Sequence, residues 1–308
     1  MTVAKPVRMA ALGPQCATDA RSATQRRARY FNSANAFNVK LPPVPARGFH
    51  TEAQQALAPD APTGFIDCDQ SVAMGMDTPA TTPLMLARYA RIAPGDRLQA
   101  EFVATGSIWY VISGSGRASG SETVDWRAGD VMLFGHSVAL SFTAGAEGAV
   151  LWVVTDEPLL ALARLRPAGS IDCVHYPAAE IARQLRVIEQ AVPDEDTSGR
   201  ALIFSHEALQ ASRNLLPLLT LSFNTLPPGE SQAPHRHNSA AITLVVQGHD
   251  CHSDVAGERC RWQPWSTLVT PPGAPHSHYN RGAARADFLI VQDGGLHYQA
   301  RTMGFAFL

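Results

Sequence analysis

Two histidine pairs, His235-Arg-His237 and His276-Ser-His278, bracket the apolar run Ala240-Ala-Ile-Thr-Leu-Val-Val246 and a polar turn region that begins at Gln247-Gly248. Side chains on a β-strand alternate between faces, so histidines separated by one residue point the same way. A third histidine on a nearby strand completes one face of a metal's coordination sphere. The stretch 229–280 therefore predicts a barrel of short strands with His235, His237 and His276 inside it.

Short apolar runs recur through most of the chain. Residues 85–92, 108–112, 131–134 and 149–154 alternate with turn signals, and 218–223, 242–246, 266–270 and 288–292 repeat the pattern. Such spacing predicts a sandwich or barrel. An internal repeat sharpens this. Pro94-Gly95-Asp96 recurs as Pro228-Gly229-Glu230, and the next marker glycine follows at the same distance in both halves (Gly95 to Gly114, Gly229 to Gly248). Trp126-Arg-Ala-Gly129 then parallels Trp262-Gln-Pro-Trp265. Between the copies, residues 177–191 read as an amphipathic helix, with Ile181, Leu185 and Ile188 at helical spacing and Pro177 in the first turn. The expected organisation is an all-β chain of two similar barrels joined by a helical linker. Its parts are an N-terminal arm (1–63), an N-terminal barrel (64–165), a linker (166–200) and a C-terminal barrel (201–308). Within the arm, 19–31 carries Arg21, Arg26, Arg27 and Arg29 and could form one basic helix, before Pro42, Pro43, Pro45, Pro59 and Pro62 interrupt regular structure.

Composition narrows the function classes. The 308 residues suffice for two ordinary domains. Basic and acidic side chains nearly balance, 25 against 27, which leaves no electrostatic footprint for nucleic acid or an anionic membrane. No apolar run approaches the ~18 residues of a membrane span. Pro6 and Arg8 interrupt the apolar part of the N-terminus, which reads as an arm and not a signal peptide. Five scattered cysteines, an odd number, suit a reducing cytoplasm better than a disulfide framework. Neither a phosphate-binding glycine loop nor a Gly-x-Ser-x-Gly elbow is present, which argues against nucleotide and serine-hydrolase chemistry.

At Gly229, His235, His237 and Gly248, and again at Pro271, Gly273, His276 and Asn280, the chain resembles the two motifs of the cupin superfamily, with Trp265 in place of the second motif's opening glycine. His-Arg-His, a small-residue run, Thr270-Pro271 and His-x-His-x-Asn look most like the bicupins of the gentisate 1,2-dioxygenase group, which includes salicylate and 1-hydroxy-2-naphthoate ring-cleaving enzymes. The resemblance covers about 64–308 and implies two double-stranded β-helix (jelly-roll) barrels, a homodimer or homotetramer, and Fe(II) chemistry on a small hydroxylated aromatic acid with O2. Ala241 stands at the usual cupin glutamate, as in that group. That group commonly holds its metal in the first barrel. Motif offsets here put Glu101, Val103 and Leu140 at the three histidine positions, so the implied metal moves to the second barrel.

Three neutral imidazoles without a carboxylate leave a dipositive ion's charge uncompensated, which favours a chelating anion such as an o-hydroxy carboxylate and keeps a position for O2. The alternative within the fold is a non-oxidative isomerase, hydrolase or decarboxylase using Mn, Ni or Zn; a third is a small-molecule-binding cupin without turnover. His278 shares the strand face of His276 and is the candidate catalytic residue, tuning bound water or moving a proton, or else a rim histidine bonded to solvent. Arg236 should face outward, and Arg281 is a loose candidate for binding a substrate carboxylate. His249, Cys251, His252 and Cys260 carry the ingredients of a rival zinc site across the expected hairpin at 254–257.

Overall fold

The computed structural model describes residues 6–136, 139–192 and 199–308; parts of the expected arm (1–5) and linker (193–198) lie outside them. Two compact units are present, Met1–Pro42 and Pro43–Leu308. In the first, β1 (Gln15–Cys16) pairs antiparallel with β2 (Arg29–Tyr30), and α1 (Ala23–Arg27) falls between them in sequence. The basic helix expected over 19–31 is therefore only five residues long. Ser22 caps it by accepting from Gln25 N at 3.2 Å, and the Arg29 guanidinium donates to the carbonyls of Arg26 and Ala28 at 2.8 Å, closing the helix before the chain turns extended.

The larger unit opens with β3 (Gly48–Phe49) and α2 (His50–Leu57). The first barrel follows as β4 (Gly64–Asp67), α3 (Ser71–Met74), β5 (Leu86–Ile92), β6 (Arg97–Ala100), β7 (Gly106–Ser119), β8 (Thr123–Arg127), β9 (Val131–Gly135) and β10 (Leu140–Thr155). Next come α4 (Glu157–Ala163), β11 (Val174–Tyr176) and α5 (Ala178–Gln190). The second barrel contains β12 (Arg200–Phe204), β13 (Thr220–Leu226), β14 (His235–His237), β15 (Ala241–Gln247), β16 (Cys251–Val255) and β17 (Glu258–Arg261). It continues through β18 (Thr267–Thr270), β19 (His276–Asn280), β20 (Ala286–Gln292), α6 (Gly294–Ala300) and β21 (Phe305–Phe307). Its two sheets run β12-β13-β20-β15-β18-β3 and β17-β16-β19-β14-β21. In the first barrel the long strands β7 and β10 each serve both faces and pair with one another along most of their length.

The helix expected over 177–191 forms as α5. Pro177 stands at its N-cap, Ile181 and Leu185 are buried, and Asp130 of the first barrel accepts from Ala178 N (2.8 Å) and bonds the His175 ring (2.9 Å). The two barrels share one apolar core that includes Phe49, Tyr89, Trp152, Leu216, Leu244 and Leu289. Across it the Tyr89 hydroxyl donates to Trp265 O at 2.5 Å, and the Trp152 indole N–H donates to Thr267 Oγ1 at 3.0 Å. Trp265 takes φ of +67°, matching the +88° of Gly129 at the corresponding turn of the first barrel. Packing against the shared core offsets the cost that a side chain meets there.

Register fixes which residues correspond between the barrels. Leu140 faces Ala100 as His276 faces His235, and Phe142 faces Ala118 as His278 faces Ser253. The counterparts of the histidine trio are thus Ala100, Phe102 and Leu140, which corrects two of the three positions expected by counting. Glu101 and Val103 are exposed, because the strand after Gly95 enters its pairing one residue earlier than the strand after Gly229. Phe102, Trp109, Leu140 and Phe142 fill the interior of the first barrel, with the Trp109 and Phe142 rings 4.3 Å apart. Its inner face offers hydrocarbon where the second barrel offers imidazole.

Candidate metal centre

Alternation on β14 gives the pattern buried, exposed, buried for His235, Arg236 and His237, so both histidines turn inward and Arg236 turns to solvent. β19 lies alongside and brings His276 directly opposite His235. The loop before β19 is tied to the first motif, since Gly273, at φ of +72°, donates its N–H to His237 O at 2.7 Å. Asn280 anchors the far end of the strand, donating to Leu226 O and Ala284 O at 2.8 Å.

One ring nitrogen from each of His235, His237 and His276 lies within 4.8 Å of the others, and all three residues are buried. Each Nδ1 meets a backbone carbonyl: Ala233 O at 2.8 Å, Ser239 O at 2.9 Å and Ala274 O at 2.9 Å. A carbonyl can only accept, so each Nδ1 carries the proton and each Nε2 is left as an acceptor. Three lone pairs gathered without a counter-charge fit a cation, and the carbonyls that fix the tautomer also orient the rings. Burial pushes His237 below the ordinary histidine value and His276 down to about 3. No other cluster of histidine, cysteine or carboxylate side chains with this spacing occurs among the described residues.

The trio opens into a cavity of about 840 Å³. His278 lines it too, buried and held well below the ordinary histidine value by that burial, with its ring 5.9 Å from that of His276. The charged side chains on the wall are Arg213 and Arg301, and no described carboxylate lines it. Gln292 reaches toward His237 Nε2 (3.4 Å), and Phe305 stacks on the His235 ring at 5.2 Å. Sequence reading missed Arg213, Arg301, Gln292 and Phe305. They lie outside both motifs and arrive from the segment before β13, the end of β20 and the C-terminal segment, so no local spacing announces them.

Two other candidates are placed elsewhere. Arg281 stacks over the Tyr279 ring at 5.2 Å and does not line the cavity. The hairpin at 254–257 forms between β16 and β17, but its cysteines and histidines do not converge. Cys251 points inward to Asn280 Oδ1 (3.3 Å), while His252, the next residue, points to the opposite face and stacks on Tyr279.

Residues 222–292 match the cupin domain family. Over almost its whole length the chain superposes on the crystal structure of salicylate 1,2-dioxygenase from Pseudaminobacter salicylatoxidans, with TM-score 0.73, 13% identity, and coverage of 90% of this chain and 92% of that one. The chain has the bicupin fold. Among curated relatives, the bicupin is 32% identical over 148 residues to 1-hydroxy-2-naphthoate 1,2-dioxygenase of Nocardioides sp. (strain KP7), covering 47% of this chain and 38% of that protein. It is 28% identical over 133 residues to gentisate 1,2-dioxygenase 1 of Aquipseudomonas alcaligenes, covering 43% and 37%. The alignments thus span well under half the length of these curated relatives.

Proposed function

We propose that this bicupin is a metal-dependent ring-cleaving dioxygenase, with His235, His237 and His276 as ligands of Fe(II) in the C-terminal barrel and a small hydroxylated aromatic carboxylic acid, gentisate- or salicylate-like, as substrate. The observation that carries the reading is the set of three buried Nε2 acceptors converging in a cavity whose charged wall residues are both arginines. The names of the two curated relatives above, both dioxygenases of such acids, support it. Iron held there would supply the redox chemistry that couples O2 to ring opening. The chain's own part is to bind, orient and exclude water. Arg213 and Arg301 attract and turn the carboxylate, Phe305 and Ile290 wall the aromatic ring, and His278 donates to or moves a proton at a substrate oxygen. The apolar first barrel serves as scaffold for the second. We further propose the boundaries 1–63, 64–165, 166–200 and 201–308, a homodimer or homotetramer, and a cytoplasmic setting, which the five free cysteines support. No helix among the described residues is long and apolar enough to cross a membrane.

Metal analysis of anaerobically purified protein, with O2 uptake on gentisate, salicylate and 1-hydroxy-2-naphthoate, tests the reading. Iron that is lost in His235→Ala, together with O2 uptake on one of these acids, is the expected result. Zinc, nickel or manganese with turnover but no O2 uptake would replace it with a non-oxidative enzyme.

A further inference from the structure

Behind His278 runs a short chain of hydrogen bonds that the metal ligands do not share. The Trp262 indole N–H lies 2.8 Å from Ser253 Oγ, and Ser253 Oγ lies 2.7 Å from His278 Nδ1. An indole N–H can only donate, so the serine oxygen accepts from it. The described residues give that hydroxyl one remaining partner, His278 Nδ1, for its single hydrogen. All three side chains are buried, at 6%, 3% and 4% exposure, so bulk water does not compete for these positions. The arrangement that satisfies this hydroxyl leaves Nδ1 of His278 as the bare nitrogen, with the proton of the neutral ring on Nε2.

The first barrel supplies an internal comparison. Trp126 stands where Trp262 does, but the residue at the serine position is Ala118 and the one at the His278 position is Phe142. The Trp126 Nε1 is buried with no hydrogen-bond partner. The tryptophan is thus common to both barrels as packing, whereas the hydroxyl and the fourth imidazole occur together, in the barrel that carries the histidine trio. An unsatisfied indole is tolerated in one copy, so the serine is not needed merely to let the fold form.

We propose that Trp262 and Ser253 are positioning residues that lock His278 as its Nε2–H tautomer, giving the cavity one imidazole N–H donor beside three imidazole acceptors. Four imidazoles lining one cavity are divided by their Nδ1 partners: a carbonyl meets each of the three cation ligands, Ser239 Oγ also lying 3.0 Å from His237 Nδ1 with its own hydrogen directed to Gln292 Oε1, while the fourth meets a hydroxyl and no carbonyl. His278 is thereby kept from becoming a fourth ligand and is directed at an oxygen of the bound anion. That last assignment rests on the function proposed above; the tautomer does not.

Nitrogen-15 spectra of histidine-labelled, metal-free protein read the tautomer directly. The wild type is expected to show His278 protonated on Nε2. Ser253→Ala should populate the Nδ1–H form, Trp262→Phe should do so partially, and Ser253→Thr should restore the wild-type pattern. In parallel, cobalt(II) affinity should stay within about twofold in Ser253→Ala, while salicylate binding to the cobalt-loaded protein weakens about tenfold and recovers in Ser253→Thr. A wild-type His278 protonated on Nδ1 would overturn the proposal without any variant. So would a folded Ser253→Ala protein with unchanged tautomer and salicylate affinity. Failure of wild-type protein to bind cobalt(II) would sink the metal reading alone, because the tautomer is measured without metal.

Discussion

His276 and His278 lie two residues apart on β19, face the same cavity, and present opposite hydrogen-bonding polarity to it. The difference lies in what each Nδ1 touches, Ala274 O for one and Ser253 Oγ for the other. At this scale the wall arginines give a prediction about affinity. Arg301→Gln or Arg213→Gln should raise the KM for an anionic acid about tenfold with little change in kcat, because each removes a charge that attracts substrate before and during the reaction alike; steady-state kinetics at low and high salt would check it. Asp293 gives a prediction about pH. Burial pushes its carboxyl up to about 7 from an ordinary 3.8, while Ala240 N donates to Oδ1 at 2.8 Å. Through that interval the folded chain holds a proton that the unfolded chain has released, so stability is greatest below about pH 4 on this account and falls as pH rises toward 7. The fall is on the order of 4 kcal/mol at most. Asp293→Asn keeps the acceptor and should flatten it, as denaturant unfolding at pH 5 and pH 7.5 would reveal.

Among the elements, the contacts that cross between barrels matter most for stability. Tyr89 on β5 holds the carbonyl of Trp265, a residue kept at positive φ, and also meets Thr267 on β18 (2.8 Å). Tyr89→Phe should therefore cost about 1–3 kcal/mol, since it leaves a buried carbonyl without its donor; thermal and chemical unfolding would measure it. Asp130 works similarly at the start of α5, where it accepts from the first helical N–H and holds His175. Asp130→Ala should lower stability by about 1–2 kcal/mol as the cap is lost, without altering the cavity, which lies in the other barrel; a drop in unfolding midpoint with unchanged ligand binding would bear this out.

For the whole molecule, the two barrels have diverged in what fills them. Leu140, Phe142, Phe102 and Trp109 pack the first interior, so metal is expected in the second alone. Roughly one metal ion per chain, lost entirely in His237→Ala, is the stoichiometry that follows from three ligands in one barrel; metal analysis of wild type and variant tests it.

The strand pattern, the repeat, the linker helix and the histidine trio were all legible in the sequence, because each is written in local periodicity. Period-two alternation put His235 and His237 on one face and sent Arg236 outward. Other features depended on pairing across the chain. A one-residue difference after Gly95, invisible to counting, moved the inward positions to Ala100 and Phe102. The basic helix at 19–31 shrank to Ala23–Arg27 because Ser22 and Arg29 seal its ends. Arg213, Arg301 and Phe305 reach the cavity from segments remote in sequence. Spacing named the four histidines that line the cavity; only tertiary structure, by bringing carbonyls to three Nδ1 atoms and Ser253 to the fourth, decided which of them present a bare Nε2 to it and which a protonated one.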